Sequence, residues 1–522
     1  MIEQVSGLRL NPGEDPGILK KRAATVLKTD AAKLKYISLV KKSLDARKKN
    51  DIHYVCTVKV SDKPIERSFE PLSPVSGLTS EKRPVVCGFG PAGMFAALSL
   101  AHAGLKPVVI ERGSDALTRK KAVDAFQAGG VLNPECNVQF GEGGAGTFSD
   151  GKLNTNTHDK RLKTVMETFY RHGAGEQVLY DAKPHIGTDV LINVVQSIRS
   201  EIISLGGEVL FNTKLSGIEY NGSGITGIKV CSAGGERSIE TDTLVLAIGH
   251  SARDTFEMLL ESGVKMEPKP FSMGARIEHL QSDIDLSQYG TARTDFNLPP
   301  ADYSLNVHLP GGSSAYTFCM CPGGEVIAAA SEEGGVCTNG MSYSGRNGKN
   351  ANAALLVTLH VDDFPGTGVL SGMYWQREIE RGAFSYGGGN YCAPAQKVGD
   401  FLNHVPSSAS GKVEPTYKPG VIWGDIRDVL PVKLCDVLEA AIPELGKKMK
   451  GFDDPDAVLT VPECRSSSPV RIVRDESLQS SVKGLYPCGE GAGYAGGISS
   501  AAVDGLRIAA AIISCKTGAE ML

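Results

Sequence analysis

What this 522-residue sequence lacks narrows its chemistry first. It has no C-x-x-C pair, which argues against a zinc ribbon, an iron–sulfur centre or a redox-active disulfide of that spacing, and no metal site is expected. Its 12 cysteines stand singly except for Cys319 and Cys321, and most are expected as core thiols in a reducing cytoplasm. Neither sign of charge dominates. The 55 Lys+Arg against 59 Asp+Glu leave a net charge of −4, with no global attraction to nucleic acid or membrane. The start, MIEQVSGLRL, lacks the basic and apolar regions of a signal peptide. The apolar run from Ile498 to Ser514 is interrupted by Asp504 and Arg507, which makes it a poor membrane span. A cytoplasmic protein with no membrane partner and no nucleic-acid partner is the expectation, and nothing in the sequence speaks to oligomeric state.

What is present is organised around Val85 to Gly113, VVCGFGPAGMFAALSLAHAGLKPVVIERG. Val85 to Cys87 reads as a buried parallel strand. Gly88, Gly90 and Gly93 form a G-x-G-x-x-G turn into a helix with Met94, Ala97, Leu98 and Ala101 at helical spacing. Val108 to Ile110 gives a second strand closed by Glu111. The three glycines act differently. Gly88 turns the chain, Gly90 lets backbone approach a pyrophosphate, and Gly93 lets helix and strand pack closely. Pro91 and Ala92 open the helix, whose N-terminal N–H groups and dipole favour phosphate. Glu111 is placed for a ribose hydroxyl. A βαβ unit with all these parts predicts a dinucleotide site. No second such motif followed by strand and acid exists, which disfavours one full Rossmann domain per nucleotide.

At this length two or three domains are expected. Residues 1–70 read as a small basic α/β module: a strand at Val5 to Leu10, two helical stretches, the second carrying Ile37, Val40 and Leu44, and a strand from His53 to Val60. Its basic residues, among them Lys20, Lys21, Arg22, Lys41, Lys42, Arg47, Lys48 and Lys49, read as a solvated face, or else as a docking surface for RNA or an acidic partner. Pro71 to Lys82 reads as a linker. Asn137 to Leu153 (NVQFGEGGAGTFSDGKL) holds too many glycines for a helix or strand interior. Its Gly143, Gly144, Ala145, Gly146, Thr147, Ser149, Asp150 and Lys152 suit main chain lying against a flat ligand. The strand at Leu244 runs into Gly249. Near the end, GEGAGYAGGISSAAVDG carries Gly489, Glu490, Gly496, Gly497 and Ile498 into a second glycine-rich helix start. Two such helix N-termini imply one ligand with two anionic or electron-accepting regions, and FAD fits: pyrophosphate on the first, the N1/C2=O edge of the flavin on the second.

The stretches KKSLDARKKNDIHYVCTVKV, GFGPAGMFAALSLAHAGLKPVVIERG, NVQFGEGGAGTFSDGKL, KPHIGTDVL, AIGHSARDTFEML, FCMCPGG, RSSSPVRI and YPCGEGAGYAGGISSAAVDG together resemble the bacterial FAD-dependent dehydrogenases called NAD(FAD)-utilising dehydrogenases, of the glutathione-reductase-like flavoprotein superfamily. One departure is Cys464, where the resemblance leads one to expect Thr. The resemblance implies an α/β fold: a Rossmann-like FAD-binding domain split in sequence (83–264 and 456–522), an inserted mixed α/β substrate domain (265–455) and the N-terminal module. It implies non-covalent FAD at Gly88, Gly90, Gly93 and Glu111, with Arg112 in the same site, Gly143 to Lys152 along the isoalloxazine and Glu490 on the ribityl chain.

The expected activity is that of an FAD-dependent dehydrogenase or reductase, passing electrons from NAD(P)H, a transient co-substrate, through flavin to a small organic acceptor. A flavin oxidase and an RNA-associated flavoprotein are the alternatives. Lys152, held by Asp150, is expected to stabilise negative charge on reduced flavin. Arg276, Arg465 and Arg471 are candidate clamps for a carboxylate or phosphate. His279 and Tyr386 are candidate proton donors.

Overall fold

The computed structural model describes residues 2–155 and 157–518; the extreme ends of the ranges 1–70 and 456–522 lie outside them. The N-terminal module is an antiparallel sheet, order β1-β3-β2, of β1 (Ile2–Leu10), β2 (Tyr36–Asp45) and β3 (His53–Ser61), packed on helix α1 (Ile18–Val26). Val5, Leu8 and Leu10 meet Cys56, Val58 and Val60 from the opposite strand, with Leu19 and Ala23 of the helix closing a small core. One expectation fails here: the second helical stretch, with Ile37, Val40 and Leu44, is strand β2. Those three residues fit a helical period, but so short an apolar run is ambiguous. Pairing along β3, from Tyr36 opposite Ser61 to Asp45 opposite His53, decides it. The module is tied to the rest of the chain where the Lys42 N–H donates to Tyr180 O (2.7 Å) and the Ala182 N–H to Lys42 O (2.9 Å).

The central element is a five-stranded parallel sheet. Its strands run, from one edge, Leu485–Pro487, Leu244–Leu246, β4 (Val85–Cys87), β5 (Val108–Ile110) and Glu208–Leu210. All are short, and all but the edge strand Glu208–Leu210 are buried throughout, as strands covered by helices on both faces must be. The edge strand Leu485–Pro487 comes from the far end of the chain, so the domain is split in sequence. Chain order reverses between β4 and Leu244–Leu246, a switch point where open α/β sheets open a crevice at their carboxyl ends.

Helix α2 (Pro91–His102) follows β4 and is buried over all but its first and last residues. It packs on the C-terminal helix Ile498–Thr517. The contact is close because Gly505 faces the backbone of α2: a Cβ there would lie 2.2 Å from Ala92 O. By length and apolarity alone the C-terminal helix passes as a membrane span, yet 67% of its apolar window is buried inside the protein. Asp504, one of its interrupting charges, is buried and paired with Arg474 (2.8 Å).

Residues between the two parts of the parallel domain build a seven-stranded sheet. Its order is Asn306–His308, Ser314–Cys321, Asn350–Leu359, Phe271–Leu280, Val458–Glu463, Ala393–Lys397, Val421–Trp423, and all neighbours are antiparallel except the last pair. The strand Val458–Glu463 lies inside this sheet, so the inserted unit runs past the boundary drawn at 455. The helices Ser371–Tyr386 and Val432–Lys448 contribute to its cover.

Leu98 is fully buried at the centre of α2, among residues of the sheet and the C-terminal helix. Leu98→Ala is expected to cost about 2–5 kcal/mol of stability through lost transfer energy and the cavity left behind. Urea unfolding of the two proteins, followed by circular dichroism, checks this.

Candidate functional site

The switch-point crevice opens into a cavity of about 680 Å³. One wall is the glycine turn after β4. Gly88 has φ +97°, and a Cβ on it would sit 2.3 Å from Ala247 O of the neighbouring strand. A Cβ on Gly93 would lie 1.9 Å from Gly88 O, so only glycine lets α2 start this close to the sheet. The Met94 N–H is the first in α2 to find an acceptor in its own turn, Gly90 O at 2.8 Å. The start of α2 therefore presents free N–H groups and positive potential to the cavity.

Glu111 lines the cavity and is buried. Its Oε2 accepts the Phe89 N–H (2.8 Å); its Oε1 accepts the N–H groups of Gly113 and Gly141 (2.9 Å each). The carboxylate thus joins the glycine turn, the end of β5 and the glycine-rich loop. Oε2 keeps a lone pair for a ligand hydroxyl. Arg112 also lines the cavity. Its guanidinium lies over the Phe140 ring and is held by Glu135 (2.7 Å) and Asp254 (2.9 Å).

The loop from Gly141 to Lys152 forms the second wall. The Gly143 N–H donates to Phe89 O (2.8 Å), and a Cβ on Gly144 would lie 2.8 Å from Gly90 Cα. The loop therefore lies directly on the phosphate-type turn. Gly144, Ala145, Gly146, Ser149, Asp150 and Lys152 face the cavity, whereas Gly143 and Thr147 pack behind. Lys152 Nζ is 3.6 Å from Asp150 Oδ2, but the buried Asp150 is held chiefly by Arg346, whose guanidinium grips both its oxygens. Nothing local in the sequence marks Arg346 for this position.

The third wall is the start of the C-terminal helix. Gly496, Gly497 and Ile498 line the cavity. A Cβ on either glycine would meet nothing within 4 Å, so these positions open onto free space. Gly489 stands behind, its N–H donating to Asp504 (2.8 Å). Glu490 reaches the cavity and pairs with His250 Nδ1 (3.2 Å) beside Gly249. His250 Nε2 is buried with no acceptor or donor among the described residues.

The inserted unit closes the cavity with Tyr303, Thr317 to Met320, Asn339, Glu463, Arg465 and Ser466. Four of the candidate catalytic or anion-binding side chains do not line it. Arg276 is fully buried behind this wall, donating to Glu463 (2.9 Å), Asn339 (2.9 Å) and Cys319 O (3.0 Å); it orders the wall and clamps nothing. His279 is in the insert core against Tyr303 and Phe452, its Nε2 bonded to Phe452 O (2.8 Å). The Tyr386 hydroxyl accepts the Asp425 N–H (3.2 Å) at the end of its helix, away from the cavity. Arg471 pairs with Glu267 (3.1 Å) on a half-exposed edge. Arg465 does line the cavity, but its guanidinium is committed to Glu380 (2.6 Å) and Ser331.

Glu380 is the hub of a buried ion network. It accepts from Arg465 and, in bidentate fashion, from Arg253 (2.8 and 2.9 Å). Arg253 also reaches Glu332 (2.6 Å), and Glu332 in turn holds Arg377 (2.8 Å). Burial pushes the Glu380 carboxyl up, but the two guanidinium groups outweigh it and hold it well below the usual range. Arg253 opens a helix of the parallel domain and Glu380 lies on an insert helix, so the network fixes one against the other. Cys337, Cys464 and Glu380 place sulfur and oxygen atoms within 4.8 Å of one another. The two guanidinium groups on that oxygen argue against a cation there.

A cavity at the switch point of a split parallel sheet, walled by two glycine-rich helix starts, defines a nucleotide-cofactor protein with an inserted second unit. Residues 270–466 match the family model described as FAD-dependent protein, C-terminal domain-like, and residues 1–61 match a domain of unknown function, DUF8436. The chain thus carries a domain of the FAD-dependent protein type. It is 45% identical, over 534 aligned positions covering 98% of this chain and 99% of the other, to an uncharacterized protein of Clostridium beijerinckii, and belongs to the same family. Among solved structures it is similar to the flavin-dependent brominase Bmp2 (14% identity, 84% and 80% of the two chains, TM-score 0.39). It is also similar to a flavoprotein/dehydrogenase from Cytophaga hutchinsonii (12%, 84% and 80%, TM-score 0.39). Similarity at that level does not bear on chemistry.

Glu380→Gln leaves two buried guanidinium groups short of their counter-charge. It is expected to destabilise the protein by about 3–5 kcal/mol, read as a lowered urea midpoint, whereas exposed Glu476→Gln serves as a neutral control.

Proposed function

We propose that the protein is an FAD-dependent oxidoreductase that takes electrons from NAD(P)H and passes them to a small organic acceptor bound against the inserted sheet. The observation that carries this reading is the meeting of two helix N-termini and a buried acceptor carboxylate at one cavity that also touches a second unit. The chain fits the cofactor. Gly88 to Ala92 would cradle its diphosphate, Glu111 would accept a ribose hydroxyl, and the open backbone at Gly496 to Ile498 would receive the flavin. Bound there, FAD supplies two-electron chemistry between a reduced nicotinamide and an acceptor.

The remaining roles belong to the chain. The C-terminal helix start and Lys152 place positive potential where negative charge grows on reduction, so both raise the reduction potential. Asp150, pinned by Arg346, positions Lys152. Tyr303, Phe318 and Met320 form the apolar part of the acceptor wall. We propose further that the protein is cytoplasmic and works on small molecules, without a membrane or nucleic-acid partner.

Gly93→Ala should shift the turn and lower FAD affinity about tenfold or more, about 1.4 kcal/mol, measured by equilibrium dialysis. Lys152→Met should make the flavin midpoint more negative by roughly 30 mV, the equivalent of about 1.4 kcal/mol for a two-electron couple. An unchanged midpoint removes that role from Lys152. Anaerobic stopped-flow of the yellow protein with NADH and with NADPH tests the donor, and failure of both to bleach the flavin would contradict it.

A further inference from the structure

The FCMC stretch, Phe318 to Cys321, lies at the cavity wall formed by the inserted unit, apart from the glycine turns assigned above to FAD. Cys319 is half-buried and lines the cavity; Cys321 is fully buried behind it, and both are free thiols. Their strand is irregular here. Phe318 pairs with Ala354 and Cys321 with Asn352, so the strand holds one extra residue over this step, a β-bulge. Cys319 takes φ +43°, a left-handed conformation that a non-glycine residue adopts at a cost. In a straight strand, residues two apart are about 6.6 Å apart along the axis. That is near the upper limit of the Cα separation a disulfide bridges, roughly 6.8 Å. A bulge bends the strand that carries it. Arg276 holds the peptide between the two cysteines through Cys319 O (3.0 Å), which also accepts the Cys321 thiol (3.2 Å).

We propose that Cys319 and Cys321 are a redox-active dithiol, and that the acceptor of this enzyme is a disulfide. Cys319 is the attacking sulfur because it faces the cavity, and Cys321 is the resolving one. The Cys319 thiolate attacks an external disulfide, forming a mixed disulfide and expelling one thiolate. Cys321 then attacks Cys319, forming the Cys319–Cys321 bond and releasing the second thiol. With FAD bound, the internal disulfide would take two electrons and one proton from the reduced flavin anion and one proton from solvent, so that the S–S bond breaks, two thiols return and flavin is left oxidised. This last step rests on the FAD reading above; the exchange steps do not. The electrostatics agree with the assignment of roles. The neighbouring Cys321 thiol, working against burial and helped by the Lys152 and Arg276 cations, lowers the Cys319 thiol to about 6. The Cys321 thiol is pushed well up by its partner and by burial. The other close cysteine pair, Cys337 and Cys464 (3.9 Å), is buried away from the cavity beside Glu380, and burial raises Cys464.

The test uses the full-length protein and bis(2-hydroxyethyl) disulfide. After incubation, alkylation and peptide mass mapping, wild type should show Cys319 and Cys321 protected and their peptide lighter by two hydrogens, with two mercaptoethanol released per chain. Cys321→Ser should instead trap a mixed disulfide on Cys319, and Cys319→Ser should show neither product. Iodoacetamide labelling of Cys319 should hold its rate from neutral pH downward and fall by half near pH 6. Wild type with both cysteines still alkylated as thiols, or Cys321→Ser without an adduct on Cys319, overturns the proposal. In an anaerobic dithionite titration, the disulfide form should take two more electrons per chain than Cys321→Ser. Equal uptake by the two proteins overturns the relay. Protein that neither retains nor rebinds FAD but still exchanges contradicts the FAD reading and leaves the dithiol standing.

Discussion

Everything at the cavity depends on how closely two helices start beside one sheet edge. α2 begins against β4 because Gly93 lets its backbone pass within contact of Gly88. The C-terminal helix then reaches the same edge because Gly505 faces Ala92 without a side chain between them. A methyl at either glycine would meet backbone rather than a movable side chain, so neither approach can be relaxed cheaply. Since both helices carry positive potential at their first turns, the consequence of this packing is electrostatic. Two anion-favouring ends, from positions some four hundred residues apart in the chain, face one space.

The inserted unit depends on a different kind of contact. Its sheet is held to the parallel domain through Glu380, which sits between Arg253 of one unit and Arg465 of the other. Such a network contributes less to net stability than its short distances suggest, because desolvation offsets much of the attraction. Its value is positional: guanidinium forks and a carboxylate fit in few arrangements, so the wall carrying Cys319 and Glu463 is held in register with the glycine turn. Behind that wall Arg276 does the same for Glu463, whose carboxyl is raised by burial in spite of the arginine.

Much of the cofactor side is legible in the chain because its parts are local. Gly88, Gly90, Gly93 and Glu111 fall within one βαβ unit, and their spacing carries their meaning. The glycines before Ile498 and in the 141–152 loop are readable as backbone that needs room. The acceptor side is not legible, since its residues arrive from strands far apart in sequence. Arg276 and His279 lie on one strand and carry the right chemistry, yet one is spent on Glu463 and the other on Phe452 O. Arg346, Glu380 and His250 escape a sequence reading because nothing near them distinguishes a paired side chain from an exposed one. Residues 36–45 read as helix from local period alone, whereas their partner strand β3 sets their conformation.

The central claim is that both helix starts and Glu111 serve a single dinucleotide. Isothermal titration of FAD into flavin-stripped protein, repeated in excess ADP, tests it most directly. The account predicts one FAD per chain and a marked loss of apparent affinity when ADP fills the diphosphate turn. Absence of binding, or FAD binding indifferent to ADP, would contradict it.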